Sequence, residues 1–248
     1  MEELKQSKKI LVTGGSRGIG SGIVEILAKQ GYHVIFTYNS SEASAHQLKE
    51  NLLNQGFNSD YFRCDVSSYD SVSCFCEYFL KEFGPPYGIV YNAGIALDNL
   101  HFNTKVEEWK TIIDTNLNSI FYFNKHLLST MLVGGGTIIT ISSVTAERGN
   151  PGQVCYGASK AALKGLTKSL AKEVGRFNVR VNSIAPGFIN TDMLNFISNK
   201  ELKYIRREIP LGRIGHPSDV GFLVGYLMSK EAEYITGQTI IIDGGLSI

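Results

Sequence analysis

KKILVTGGSRGIGSGIVEIL, residues Lys8 to Leu27, changes backbone habit halfway along. Ile10, Leu11 and Val12 form an unbroken apolar run, as a strand buried on both faces does. Ile19, Ile23, Ile26 and Leu27 then recur at i, i+4, i+7 and i+8, the period of an amphipathic helix. Between them lies TGGSRGIG, Thr13 to Gly20, with Gly14, Gly18 and Gly20 in a T-G-x-x-x-G-x-G pattern. Glycine lets backbone come close to a ligand, and a helix start offers N–H donors to an anion. The stretch predicts a strand, a turn suited to a pyrophosphate, and a helix. A tight turn without a ligand is the competing reading.

The same alternation continues to the end of the chain. YHVIFTY, SDYFRCD, YGIVYNAG, GTIITISS, VRVNSIAPG and QTIIIDGG are further apolar runs, most of them separated by stretches of helical period. Repeated strand–helix–strand units predict a parallel sheet covered on both sides, with right-handed crossovers. The fold class expected is α/β: one doubly wound, Rossmann-type domain over 1–248, with a seven-stranded parallel sheet and helices on both faces. One segment, 187–216, breaks the rhythm after VRVNSIAPG. Inserted chain beyond a strand's carboxyl end lies where such sheets bind ligands, so it is read as a substrate-covering loop with short helices. Its apolar residues Phe188, Ile189, Met193, Leu194, Phe196 and Ile197 suit either a hydrophobic substrate or packing of the segment itself.

Bulk properties exclude several classes. The 248 residues carry 24 Lys+Arg against 23 Asp+Glu, so no net field directs the chain to nucleic acid or a membrane. No apolar run reaches the ~20 residues of a membrane span. MEELKQSKK has no apolar core of a signal peptide, so a cytoplasmic location is expected. Cys64, Cys74, Cys76 and Cys155 form no CxxC, and free thiols with no metal site are expected. Cys155, next to Tyr156, is the thiol that could confer sensitivity to oxidation.

The second strand should end near Tyr38, where a carboxylate would bind a ribose 2′-hydroxyl in an NAD site. Tyr38, Asn39, Ser40 and Ser41 stand there instead, and the first acid is Glu42. Arg17 in the glycine turn can pair with a 2′-phosphate. NADP(H) is therefore the expected cofactor, the alternative for Arg17 being a solvated charge. Farther on, QVCYGASKAAL places Tyr156 and Lys160 on one helix face. Tyr226 and Lys230 repeat that spacing, but with no serine at a strand end and no glycine turn near them, and Lys230 reads as a helix-terminal charge.

TGGSRGIG, YNAG at 91–94, Asn116, Ser143, YGASK at 156–160 and PGFINT at 186–191 together resemble the short-chain dehydrogenase/reductase family, in order and spacing, over nearly the whole chain. YITGQTIIIDGG and PLGRIG look most like the 3-oxoacyl-[acyl-carrier-protein] reductases within it. The resemblance implies that Thr13, Gly14, Ser16, Arg17, Gly18, Ile19 and Gly20 form the cofactor turn. It implies that Asp65 and Val66 meet the adenine and that Asn92, Ala93 and Gly94 lie beside its ribose. Ile189 and Thr191, after Pro186 and Gly187, would meet the nicotinamide carboxamide. Tyr91 departs from the family's asparagine. The helix NKHLLSTMLVGGG offers only Lys125 and His126 where the reductases carry basic residues. The resemblance also implies a homotetramer, with interfaces around Asn116–Met131, Tyr156–Val174 and Ile240–Ile248.

Reducing a ketone needs a hydride, a proton and a partner for the developing alkoxide. Tyr156 is assigned as proton donor, Lys160 as the cation that favours tyrosinate and holds ribose hydroxyls, Ser143 as a donor to the carbonyl. Ser142, on the opposite side of the strand, is the less suited serine. Asn116 would link Lys160 to water, and bonding helix backbone as a buried asparagine is compatible with that. The expected reaction is NADPH-dependent reduction of a 3-oxoacyl thioester on an acyl carrier, in fatty acid or polyketide synthesis. A short-chain dehydrogenase of a sugar, steroid or other small alcohol or ketone, and an idle NADPH-binding sensor or scaffold, are the alternatives. Lys203, Arg206 and Arg207 make one basic stripe, either solvated or facing the acyl carrier. Glu147 and Arg148, in the loop between the catalytic elements, have no role readable from sequence.

Overall fold

Each of the seven apolar runs becomes a strand in a computed structural model that describes residues 7–192 and 198–248. In chain order the elements are β1 (Lys9–Val12), α1 (Gly18–Lys29), β2 (His33–Tyr38), α2 (Glu42–Leu53), β3 (Ser59–Arg63), α3 (Tyr69–Phe83) and β4 (Gly88–Tyr91). Then come α4 (Val106–Ile113), a π turn (Asp114–Asn118), α5 (Ser119–Gly134), β5 (Gly136–Ile141), α6 (Thr145–Arg148) and α7 (Val154–Val174). β6 (Val179–Pro186), α8 (Asn199–Glu208), α9 (Pro217–Met228) and β7 (Thr239–Ile242) complete the chain. The sheet is parallel throughout, in the order β3-β2-β1-β4-β5-β6-β7.

Alternate residues of each strand feed two separate cores. Ile10, Val12, Val34, Phe36, Val90 and Ile139 face α1, α2 and α9. Leu11, Ile35, Ile89, Ile138 and Val181 face α3, α5 and α7. This is why the strands read as continuous apolar runs: both sides of the pleat are buried. The strand order reverses direction between β1 and β4, which leaves a crevice at the carboxyl edge at that point. At the opposite edge, Asp60 of β3 lies 2.8 Å from His33 Nε2 and accepts from Lys49 Nζ at 2.9 Å. Its carboxyl is held down to about 2, chiefly by the hydrogen bond with His33.

Three readings need adjustment. Tyr91, at the departure from the family's pattern, points into the α3/α5/α7 core and donates to Asn124 Oδ1 at 2.7 Å, away from the crevice. Lys230 lies beyond the end of α9 in a separate 3₁₀ turn, Lys230–Ala232, so the Tyr226–Lys230 spacing is not helical. Among its described residues, segment 187–216 holds one α-helix of ten residues, α8, whose start is capped reciprocally by Ser198 and Glu201. Met193, Leu194, Phe196 and Ile197 lie outside the described residues. Of the other two apolar residues there, Ile189 is buried and pairs by a β-bridge with Gly215, and Phe188 packs in a small cluster with Val144, Ile209 and Leu246.

Candidate active site

The glycine turn is stitched to the segment that follows β4. Thr13 Oγ1 accepts from the N–H groups of Asn92 and Ala93, both at 3.1 Å, and Asn92 Nδ2 donates to the carbonyls of Thr13 and Gly14. Gly14 and Gly18 have φ of 64° and 57°, a left-handed conformation that glycine adopts without strain. Gly20 is a glycine for a different reason: a Cβ there would lie 2.1 Å from the Gly14 carbonyl oxygen. Ser16 is buried, and Ile19 is half-buried against the core. A Cβ on Gly18 would touch Thr191 Cγ2 at 3.3 Å, so the turn and the segment after Pro186-Gly187 adjoin.

Several features of this turn fit a dinucleotide. α1 starts with neither a side-chain cap nor an acidic residue in its first turn, which leaves its N–H groups and dipole open to an anion. Arg17 is the residue before the helix. Its guanidinium is exposed, with Asp192 at 3.8 Å, a weak pair in water. Asn39 and Ser40 lie exposed just past β2, while Glu42 is engaged with the Tyr38 phenol and raises it, after burial. Asp65 follows β3 and accepts from the Ser67 N–H and hydroxyl at 3.0 and 2.7 Å; Val66 is buried beside it.

The second half of the site hangs on β5 and α7. Ser143 stands two residues past β5, and its Oγ accepts from the Thr145 N–H at 3.1 Å. Ser142 turns inward and donates to the Lys160 carbonyl at 2.9 Å, so the two serines point apart as the strand pleat requires. Lys160 is 4% exposed, and its Nζ donates to the Ile141 carbonyl at 2.8 Å. That bond uses one of three ammonium donors; the rest face the crevice near Gly94, where a Cβ would come within 3.1 Å of Nζ and 3.2 Å of Asn116 Oδ1. These unpaired donors fit ribose hydroxyls. Burial alone brings the ammonium down to about 8.

Tyr156 lies one turn before Lys160, with Nζ 5.8 Å from its ring centroid. In this arrangement the phenol is pushed up rather than down. Burial is the main cause, the Ser143 hydroxyl opposes it, and the Asp98 carboxylate adds to it. The side chain is thus held in its protonated form. Asn116 is buried in the π turn. Its Oδ1 accepts from Ile95 N–H at 2.8 Å, and its Nδ2 donates to Ile95 O and Ser159 Oγ. Its backbone partner is therefore the segment after β4, not a helix.

Two residues without a sequence-based role acquire one here. Glu147 pairs with Lys164 of α7, and Arg148 donates to the Leu246 carbonyl at 2.9 Å, tying the loop to the chain's end. Cys155 is buried with its thiol directed at the Trp109 carbonyl, and burial raises it. A thiol so placed forms little thiolate, against the oxidation sensitivity that its position suggested.

The chain is similar to known proteins over nearly its whole length. A family profile described as enoyl-(acyl carrier protein) reductase matches residues 14–247. The 3-oxoacyl-[acyl-carrier-protein] reductase FabG of Chlamydia muridarum is 40% identical over 248 residues, covering 100% of both chains. That of Pseudomonas aeruginosa is 41% identical over 242 residues, covering 97% of this chain and 98% of its own. Among solved structures, a short-chain dehydrogenase/reductase from Serratia marcescens superposes with a TM-score of 0.92 at 32% identity, covering 98% of this chain and 99% of that one.

Proposed function

This chain belongs to the short-chain dehydrogenase/reductase family, and we propose that it reduces the ketone of a 3-oxoacyl thioester with NADPH. The observation that carries the reading is the convergence of Ser143, Tyr156 and Lys160 on one crevice that the glycine turn also borders. The relatives at 40–41% identity carry the name of that reaction.

When bound, the dinucleotide supplies the hydride. The chain's own residues do the rest. The α1 start and Gly14–Gly20 hold the pyrophosphate, and Arg17 meets the 2′-phosphate. Asp65 and Val66 border the adenine, and Asn92, Ala93 and Gly94 the ribose next to it. Ile189 and Thr191 face the carboxamide, with Pro186 and Gly187 setting their approach. The unpaired Lys160 donors hold the second ribose. Ser143 donates to the substrate carbonyl, and Tyr156, kept protonated, gives its proton to the oxygen as charge develops there. Lys160, charged below about pH 8, favours the tyrosinate left behind. Asn116 holds water near Lys160 from which the proton is restored.

Segment 187–216 covers the acyl group in this reading, and the exposed Lys203, Arg206 and Arg207 of α8 face the acyl carrier. The protein assembles as a cytoplasmic homotetramer through α5, α7 and the C-terminal strand, consistent with the exposure of Phe121, Val133 and Ile241. Gel filtration should give about four times the 27.3 kDa of the chain. Among the described residues, no helix is long and apolar enough to cross a membrane.

NADPH oxidation followed at 340 nm tests the function. The panel comprises acetoacetyl thioesters on carrier protein and on coenzyme A, an enoyl thioester, and free ketones. Turnover of the 3-oxoacyl thioesters supports the proposal. Turnover confined to free ketones or to the enoyl thioester overturns it.

A further inference from the structure

Gln153 precedes the first turn of α7, a position where Ser, Thr, Asp or Asn ordinarily caps the helix with a side-chain oxygen. Here the side chain makes no cap bond. Its amide reaches sideways instead. Nε2 donates to Asp98 Oδ2 at 2.9 Å, and Oε1 accepts from Thr145 Oγ1 at 3.2 Å and from Asn150 Nδ2 at 3.0 Å. Thr145 also donates its main-chain N–H to Ser143 Oγ. A main-chain tie crosses the same gap, from the Asn99 N–H to the Gly152 carbonyl at 2.9 Å. One amide thus joins the segment after β4, the loop after β5 and the start of α7, three residues ahead of Tyr156.

Stability does not account for this junction. Asp98 is exposed, and a carboxylate–amide contact in water contributes little. What the junction does fix is relative position. Ser143 is reached from Gln153 through Thr145, and Tyr156 follows Gln153 by less than one helical turn. Regular secondary structure does not hold the three segments together, because Asn92–Leu100 and Gly149–Gln153 carry none that spans the gap. We propose that Asp98 and Gln153 are a positioning pair that locks the first turn of α7 against the Ser143 loop and so sets the geometry in which Ser143 and Tyr156 meet a substrate carbonyl. The inference rests on the ketone-reductase reading and adds two residues to it.

The pair has an electrostatic consequence as well. The charged groups facing the Tyr156 phenol are Lys160 on its own helix and Asp98 across the crevice. Asp98 raises the phenol, so removing its charge lowers it. Asp98→Asn keeps an oxygen that can accept from Gln153 while removing the charge, and Asp98→Ala removes both.

Steady-state kinetics on Gln153→Ala, Asp98→Ala and the double variant test the coupling. Geometric misplacement of reacting groups is costly even when small. Each single variant should lose about 10-fold in kcat, with thioester KM and NADPH Kd within about two-fold of wild type. The double variant should lose no more than the worse single one, as two halves of one contact do. Asp98→Asn should recover most of the loss in Asp98→Ala. Titration of tyrosine ¹³Cζ resonances, with Tyr156 assigned through Tyr156→Phe, should show a lower phenol value in Asp98→Asn than in wild type. Wild-type kcat in the single variants, additive losses in the double variant, or an unmoved Tyr156 titration overturns the proposal. The titration needs no substrate, so it separates failure of the pair from failure of the thioester reading.

Discussion

Lys160→Met replaces a buried ammonium with an apolar side chain of similar length. Burial moves Lys160 from 10.5 to about 8, so the folded chain disfavours the charged form. At 1.36 kcal/mol per pKa unit that penalty is roughly 3 kcal/mol. The folded value lies below the unfolded one, so the unfolded chain binds more protons between about pH 8 and 10.5 and stability rises with pH across that window. Below pH 8 the whole penalty applies. The variant also deprives the Ile141 carbonyl of its donor, a loss of about 1–2 kcal/mol. The net expectation at pH 7 is a gain of about 2 kcal/mol, a Tm roughly 4–8 °C higher for a chain of this length. Turnover is lost in the same protein. Thermal unfolding followed by circular dichroism, without NADPH and at fixed protein concentration, reads the effect at pH 7 and pH 9. The advantage should narrow by about 1 kcal/mol at pH 9 as wild-type Lys160 deprotonates. A lower Tm for the variant at pH 7, or a gap that stays constant to pH 9, refutes this account of Lys160.

Tyr156→Phe should lower kcat by about 10²–10⁴-fold while NADPH affinity, read by quenching of Trp109, stays within two-fold. Arg17→Ala should raise the KM for NADPH by about 10-fold and leave that for NADH unchanged, since only the former carries a 2′-phosphate. Asp60→Asn should cost about 1–2 kcal/mol in urea unfolding at pH 7. Its carboxyl sits low in the folded chain, so the contribution is complete above about pH 4 and disappears as pH falls through about 2, where variant and wild type should unfold alike. Gly20→Ala should fold poorly, because the new Cβ meets the Gly14 carbonyl oxygen at 2.1 Å and main chain cannot yield as a side-chain tip can; a Tm within 2 °C of wild type would contradict that.

The sheet was legible because parallel strands bury both faces, so Ile10–Val12, His33–Tyr38 and Gly136–Ile141 announce themselves without context. The Tyr156–Lys160 pair was legible through its neighbours, and the lack of such neighbours around Tyr226 and Lys230 was equally informative. Sequence spacing does not encode what depends on pairing across the fold. Glu147 meets Lys164 and Arg148 meets Leu246 only once α6 has docked beside α7 and the chain's end. The inward turn of Tyr91 follows from strand alternation, yet the resemblance alone drew attention to it. The state of the Tyr156 proton was also beyond reach, because attraction to a lysine can be read from spacing whereas burial cannot.

The π turn at Asp114–Asn118 has a bearing on chain length. Ile112 before it and Ile120 after it are both buried, although eight residues of ideal α-helix would set them roughly 80° apart. The wide turn absorbs that offset and brings Asn116 inward between them. It behaves as an α-helix into which one residue has been inserted. Deleting one residue from 114–118 would leave Ile112 and Ile120 seven apart, about 20° from the same face, so the helix would close to a regular pitch with its downstream half still toward the core. Phe123, Leu127 and Met131 would keep their places in the core, while the bulge that turns Asn116 inward would be gone. The extra residue is thus one that the hydrophobic interior does not need, and it is kept in this helix for the crevice alone.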